Sequence, residues 1–193
     1  MRLASLALFS SALLSHAVHA DSLDDAILQE MKRRHIPGVS LLVMNDGKVL
    51  REKGYGYANL EHKVPVKPET VFQSGSIGKS FTAALILLLE RDGKLSLDDP
   101  ISRHLPGIPA TWEQITIRHL LTHTSGLGDP YEMIDFRKDY TDEELLALES
   151  KVDLRFAPGE KWAYSNTGYH LLGFIANRVG GKFYGDQLRE RIF

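Results

Sequence analysis

The sequence predicts an α+β fold in which a short antiparallel sheet precedes a helix-rich region. Three observations carry the prediction. An uncharged, mostly apolar run, Val39 to Met44, is separated by Asn45-Asp46-Gly47 from a second extended stretch, Lys48 to Asn59. Seven consecutive apolar residues, Ala83 to Leu89, lie inside a helix-length segment. Helix start and stop signals then recur as far as Gly180-Gly181.

Taken in order, Arg2, the apolar stretch Leu3 to Leu14 and Val18-His19-Ala20 have the layout of a secretory signal peptide, so residues 1–20 are expected to be removed on export. The apolar stretch is shorter than the ~20 residues a spanning helix needs and is broken by serines, which argues against a membrane anchor. Ser22 is placed to cap a first helix with Leu23, Ile27, Leu28 and Met31 on one face, and His35-Ile36-Pro37-Gly38 ends it. The strand, tight turn and second strand follow, and Pro65 and Pro68 mark a loop. Ser74-Gly75-Ser76 leads into a helix from Ile77 to Arg91, apolar all round and therefore expected to be buried. Beyond Asp92-Gly93 the prolines 100, 106, 109, 130 and 158 punctuate a helical, loop-rich stretch. Thr116 opens a short helix to about Thr122, and Thr141-Asp142-Glu143-Glu144 is a capping box. A strong helix begins near Asn166, and residues 182–193 allow one more. Two strands followed only by helices leave a sheet that looks unfinished, because a lone hairpin is marginal in water.

Composition narrows the chemistry. The 193 residues carry 23 basic and 25 acidic side chains, a net charge of -2, with no basic block. That gives no electrostatic footprint for nucleic acid or for an anionic membrane. With no cysteine, a thiolate nucleophile, a disulfide framework and Cys-ligated metal are excluded, leaving hydroxyl, amine, imidazole and carboxylate chemistry.

The leading candidate is Ser76-Ile77-Gly78-Lys79 at the head of the apolar helix, where one turn sets Lys79 beside Ser76. With 14 serines and 11 lysines, about 0.8 such pairs are expected by chance, so placement matters more than the match. A lysine in a first helical turn opposes the macrodipole and is partly desolvated there, an unfavourable position that suits an amine accepting the serine proton. The plain alternative is that Ser76 caps the helix and Lys79 snorkels to solvent. The second candidate is Tyr164-Ser165-Asn166, ahead of the last strong helix. A phenol near a cationic lysine is drawn below its usual pKa of ~10 and can shuttle a proton, while Asn166 offers its amide to a substrate carbonyl. Here the alternatives are a packing tyrosine and a helix cap, and Tyr57-Ala58-Asn59 repeats the pattern at a strand end. Three near-matches fail. Gly78-Lys79-Ser80 lacks the first glycine of a phosphate loop, since that position is Gln73. A nucleophile elbow would need glycine at Ser74. His119 and His123 share the spacing of a zinc protease, but the required glutamate is Leu120, so no metal is expected.

In combination, Ser76-x-x-Lys79, Leu120-Leu121-Thr122-His123-Thr124-Ser125-Gly126-Leu127, and Pro158-Gly159 followed by Tyr164-Ser165-Asn166-x-Gly168-Tyr169-x-x-Leu172-Gly173 resemble the serine β-lactamase-related hydrolases. The resemblance is to the class C side, which includes penicillin-binding carboxypeptidases, D-aminopeptidases and esterases. It covers nearly all of residues 21–193. It implies a β-lactamase/transpeptidase-like antiparallel sheet flanked by helices, with a helical subdomain to which Leu120–Leu127 belongs. It also implies Ser76 as the acylated nucleophile, Lys79 as its proton acceptor, Tyr164 as the general base or acid, and Asn166 as a substrate-orienting amide. No cofactor is implied, and the partner is a small-molecule or peptide substrate in the periplasm or outside the cell. One family motif is missing: a Lys or His shortly followed by Gly on a late strand, which supplies half of the oxyanion hole. Gly181-Lys182-Phe183-Tyr184-Gly185 follows a helix and has the wrong context. The chain therefore reads as the N-terminal part of a single longer domain, its late strands absent. The competing expectation is a catalytically incompetent fragment or ligand-binding relic.

Overall fold

The computed structural model describes residues 14–193, with side chains from Ser22 onward; the first thirteen residues of the expected export signal lie outside the described residues. The described residues form two compact units that divide between Gln73 and Ser74. Among the described residues no helix is long and apolar enough to cross a membrane.

In the first unit α1 (Leu14–Arg34) is followed by β1 (Gly38–Asn45), β2 (Lys48–Asn59) and β3 (Val64–Pro65). The helix starts ahead of Ser22, so that serine sits inside it and is not its cap, a departure from expectation. The stretch between Leu14 and Ala20 contains no glycine or proline to stop a helix. His35 in the left-handed region (φ 55°) ends α1, and the Ile36 N–H returns to the Met31 carbonyl at 2.9 Å. Asp46 and Gly47, both at positive φ, form the two-residue turn between β1 and β2. The strands are antiparallel, with Asn45 opposite Lys48 and Gly38 opposite Gly56, and the register shifts between Val43 and Met44. Gly56 (φ 66°) has no substitute, because a Cβ there would lie 2.2 Å from the Pro37 carbonyl oxygen. The sheet order is β1-β2-β3. The third strand falls where the prolines predicted only a loop: Pro65 pairs with Tyr57, and proline is accepted there because an edge strand need not donate on its outer side. Met31, Tyr55 and Val66 are buried in this unit. Asp24 of α1 gathers Arg51, Lys53 and the Tyr55 hydroxyl from β2, the last at 2.6 Å.

The second unit holds the larger core. Helix α2 (Gly78–Arg91) packs on α5 (Asn166–Gly180), with α3 (Ile117–Leu121), α4 (Asp142–Glu149) and α6 (Tyr184–Arg191) around them. Thr82, Leu85, Ile86 and Leu89 form the buried stripe of α2, at the i, i+3, i+4, i+7 spacing of one helix face. Leu87, on the opposite side, is 49% exposed, so this helix is not buried all round as its composition suggested. Leu171, Leu172, Ile175 and Ala176 of α5 meet the stripe in one cluster with Ile117, Leu120 and Trp112. Each fully buried leucine or isoleucine contributes roughly 1.5–3 kcal/mol. Thr116 and His119 form a capping box on α3, as do Thr141 and Glu144 on α4. Gly181 ends α5 in the left-handed conformation.

Candidate active site

Ser76 lies in a single 3-10 turn, Gly75–Ile77, that runs directly into α2. No side-chain cap bond is made at either N-cap, so the Ser76 hydroxyl is not spent on capping. It accepts instead from Tyr164 Oη at 2.6 Å and from Lys79 Nζ at 3.4 Å. The α-helical spacing anticipated from Ser-x-x-Lys accounts for the second contact. Ser76 is exposed and Lys79 is half-buried. The Lys79 ammonium also donates to Asn166 Oδ1 at 2.7 Å, and lies 4.9 Å from the centre of the Tyr164 ring and 5.6 Å from that of Tyr169. All four residues expected from the sequence are therefore brought together. Tyr57-Ala58-Asn59, the repeated pattern, ends a strand of the other unit.

Tyr164 is held from behind by His123. The His123 carbonyl accepts the Ala163 N–H at 2.9 Å and its Nδ1 accepts the Ser165 N–H at 3.3 Å, so both neighbours of Tyr164 are tied to one residue. The imidazole stacks on the phenol, with ring centres 4.6 Å apart and planes at 29°. Burial, and then the positive charge of Lys79, lower the pKa of His123, which keeps the ring neutral, with Nδ1 free of a proton and able to accept. His123 sits at φ 58° on a segment laced to residues 155–163, where Gly126 (φ 80°) comes so close to Phe156 that a Cβ would lie 2.2 Å from its carbonyl oxygen. His119 uses its Nδ1 within the α3 capping box. Among the described residues no group of three or more His, Cys, Asp or Glu is gathered to hold a metal.

The Tyr164 phenol is 40% exposed and lies below its ordinary pKa, drawn down first by its polar contact with Lys79 and then by that with Ser76. A contact of 2.6 Å between the two oxygens lets the proton lie on either one, so a deprotonated Tyr164 would receive the hydrogen of Ser76. The arrangement can thus generate an alkoxide-like serine beside a cation; the Ile77 and Gly78 N–H groups at the head of α2 are already taken by the Ser74 and Gly75 carbonyls of the 3-10 turn.

Two residues of the site were missed from sequence. Asp129 Oδ1 accepts from the backbone N–H of Asn166 at 2.8 Å and of Thr167 at 3.0 Å, and from Ser165 Oγ at 3.2 Å, while Oδ2 accepts from Asn166 Nδ2 at 3.2 Å. Asn166 Nδ2 also donates to Tyr131 Oη. The amide nitrogen that sequence reasoning offered to a substrate carbonyl is therefore already occupied, and the amide oxygen faces Lys79. Burial alone would raise the Asp129 carboxyl, but the N–H groups of Thr167 and Asn166, the Asn166 amide and the Ser165 hydroxyl outweigh it and hold the pKa below its ordinary value. Ser165, not Asn166, caps α5, accepting from the Gly168 N–H. The only local signal for Asp129 was Asp129-Pro130, a turn-initiating pair. A cavity of about 380 Å³ opens beside Lys79 and Asn166, walled by Tyr169, Phe174 and Tyr184.

A helical unit presenting a hydroxyl, an amine, a phenol and an amide in this arrangement is of the serine-hydrolase type. A Beta-lactamase family model matches residues 23–193. Penicillin-binding protein 4* of Bacillus subtilis is 35% identical over 175 residues, which cover 86% of this chain and 38% of that protein. The D-amino acid amidase of Ochrobactrum anthropi, solved with L-phenylalanine, superposes with a TM-score of 0.75 at 37% identity over 87% of this chain and 47% of its own. The octameric penicillin-binding protein homologue from Pyrococcus abyssi gives 0.76 at 36% identity, over 90% and 42%. The chain belongs to the β-lactamase family of serine hydrolases, has its α+β fold, and spans less than half the length of each of these relatives.

Proposed function

We propose that this chain carries the acylation machinery of an exported, class C-like serine hydrolase acting on an amide, ester or β-lactam. The observation that carries the reading is the position of Ser76 Oγ between Tyr164 Oη and Lys79 Nζ. Ser76 Oγ forms a bond to the substrate carbonyl carbon as its proton passes to the Tyr164 oxygen, with Lys79 supplying positive charge alongside. Tyr164 then gives that proton to the departing nitrogen or oxygen as the scissile bond breaks, leaving an ester on Ser76. In the second half a water loses a proton to Tyr164 and attacks the ester carbon, and the proton returns to Ser76 Oγ as the acid leaves. Asn166 acts by holding Lys79; for its amide to meet a substrate carbonyl, a bond to Asp129 or Tyr131 would have to yield. The side chains and water suffice for these steps, and no cofactor or metal is invoked.

The signal-like first twenty residues support export to the periplasm or beyond. The D-amino acid amidase and the penicillin-binding relatives support an amide or β-lactam as the acyl donor. Intact-mass spectrometry of the chain after exposure to penicillin and to a fluorophosphonate, beside Ser76→Ala, tests the reading. A mass gain equal to the acyl group on the first protein alone is the expected result. Folded protein that gains no mass with either reagent would instead favour a non-catalytic, ligand-binding relic.

A further inference from the structure

We propose that Asp129 is a positioning residue for acylation, acting through the Asn166 amide to set the place of Lys79; this rests on the acyl-enzyme reading above. Asn166 is a two-ended group. Its oxygen receives Lys79 Nζ at 2.7 Å, and its nitrogen is taken by Asp129 Oδ2 at 3.2 Å and by Tyr131 Oη. An amide that turns its oxygen to an ammonium points its NH2 the other way, and acceptors placed there favour that orientation over the flipped one. Asp129 supplies a carboxylate oxygen for this purpose, and a carboxylate is acceptor-only when ionised. The amide is therefore locked in the one orientation that offers Lys79 an acceptor. Held at that point, the lysine also donates to Ser76 Oγ at 3.4 Å and lies against the Tyr164 and Tyr169 rings. The chain of contact runs from Asp129 through Asn166 and Lys79 to Ser76, and Asp129 itself touches neither the nucleophile nor Tyr164 in any hydrogen bond of the site.

The same carboxylate has a second duty that its two oxygens separate. Oδ1 takes the Asn166 and Thr167 N–H groups at the start of α5, whereas Oδ2 faces the Asn166 side chain. Asp129→Asn can keep the first function, because the asparagine oxygen still accepts the backbone N–H groups. It must then turn an NH2 toward the NH2 of Asn166. Two donors cannot share that contact, so Asn166 rotates and points its NH2 at the ammonium of Lys79. Exchanging the two residues, Asp129→Asn with Asn166→Asp, restores a donor facing an acceptor and returns a carboxylate oxygen to Lys79. Tyr131→Phe removes one acceptor and leaves the helix start untouched.

The experiment combines two readouts on the full chain: the rate of penicillin adduct formation by mass spectrometry, and the 15Nζ resonance of Lys79, assigned with Lys79→Arg. Asp129→Asn is expected to slow adduct formation on the order of 10²-fold, the usual effect of a misplaced catalytic group. It should also displace the Lys79 resonance, while the α5 amides stay protected from exchange. Tyr131→Phe should slow it about 5-fold, the weight of one neutral hydrogen bond. The exchanged pair should return the resonance toward its original position and recover at least tenfold of the lost rate. An Asp129→Asn protein that stays folded, acylates within twofold of the original and leaves the Lys79 resonance unmoved would overturn the proposal, as would an exchanged pair no better than the single variant on either readout. If the unaltered chain takes no adduct yet the resonance moves and returns, the acyl-enzyme reading fails and the positioning stands. If the adduct forms normally in every variant, the reading stands and the positioning fails.

Discussion

The imidazole of His123 lies flat against the phenol of Tyr164, 4.6 Å between centres, and the same residue binds the backbone on both sides of that tyrosine. Tyr164 projects from an irregular segment just before α5, where no ladder would fix its direction. His123 supplies that rigidity.

Replacing His123 should therefore weaken the site through Tyr164. His123→Ala removes the stacked ring, leaves the Ser165 N–H without its acceptor and places alanine at positive φ. Together these cost about 2–4 kcal/mol of stability. His123→Asn tolerates the left-handed backbone and should lose less, while still losing the stack. We expect both variants to acylate at least tenfold more slowly than the original, with urea titration separating the stability loss from the rate loss. An Asn variant with the original rate would show that the stack does not position the phenol.

A pH profile reports on Tyr164. Its contacts with Lys79 and Ser76 favour the phenolate, so its pKa lies below the usual ~10. The base form is the deprotonated one, and acylation should rise with pH along a limb whose midpoint falls below 10. Tyr164→Phe should remove the limb and reduce the rate by about 10²–10⁴-fold, the range for loss of a general base. Stopped-flow adduct formation between pH 5 and 10 tests both statements. A limb centred at or above 10 would mean that the lysine does not act on the phenol.

Asp24 gives a pH dependence of stability. Hydrogen bonds from Lys53 and Tyr55, with the charge of Arg51, lower its carboxyl from 3.8 to about 2 in the folded protein. A carboxyl depressed on folding stabilises the fold fully above its unfolded pKa, and the contribution disappears as pH falls from about 4 through about 2. Asp24→Asn should flatten this acid limb in thermal melts and leave adduct formation at neutral pH unchanged. An acid limb identical in the variant would count against the assignment.

The two faces of α2 should respond differently to truncation. Leu85 is fully buried and Leu87 is 49% exposed. Leu85→Ala should destabilise by about 2–5 kcal/mol, and Leu87→Ala by no more than about 1 kcal/mol. Equal losses in urea unfolding would mean that the buried stripe is misassigned.

The contrast between these leucines also explains what the sequence could and could not reveal. Composition read all of Ala83 to Leu89 as apolar, but only the spacing of Thr82, Leu85, Ile86 and Leu89 states which face is inside. Caps were legible because they are local: Thr116, Thr141 and Gly181 act within a turn of where they stand. Ser76 and Lys79 were legible for the same reason, and Tyr164 with Asn166 through the company of the other motifs. Asp129 and Tyr131 were not. Their partners lie 35 to 38 residues further along, and nothing in a loop's own spacing discloses which distant amide it will hold. The β3 strand was hidden because its two residues, one a proline, carry no alternation of their own.

The contact between Ser76 and Tyr164 closes a loop of 88 residues, and that between Lys79 and Asn166 one of 87. Loop-closure entropy delays such contacts until other interactions reward them, and here the reward is the burial of Leu85 and Ile86 against Leu171 and Ile175. A refolding chain should then gain its reactive serine in the same kinetic phase in which α2 meets α5. Capture of penicillin during refolding would be a clock for the docking of those two helices.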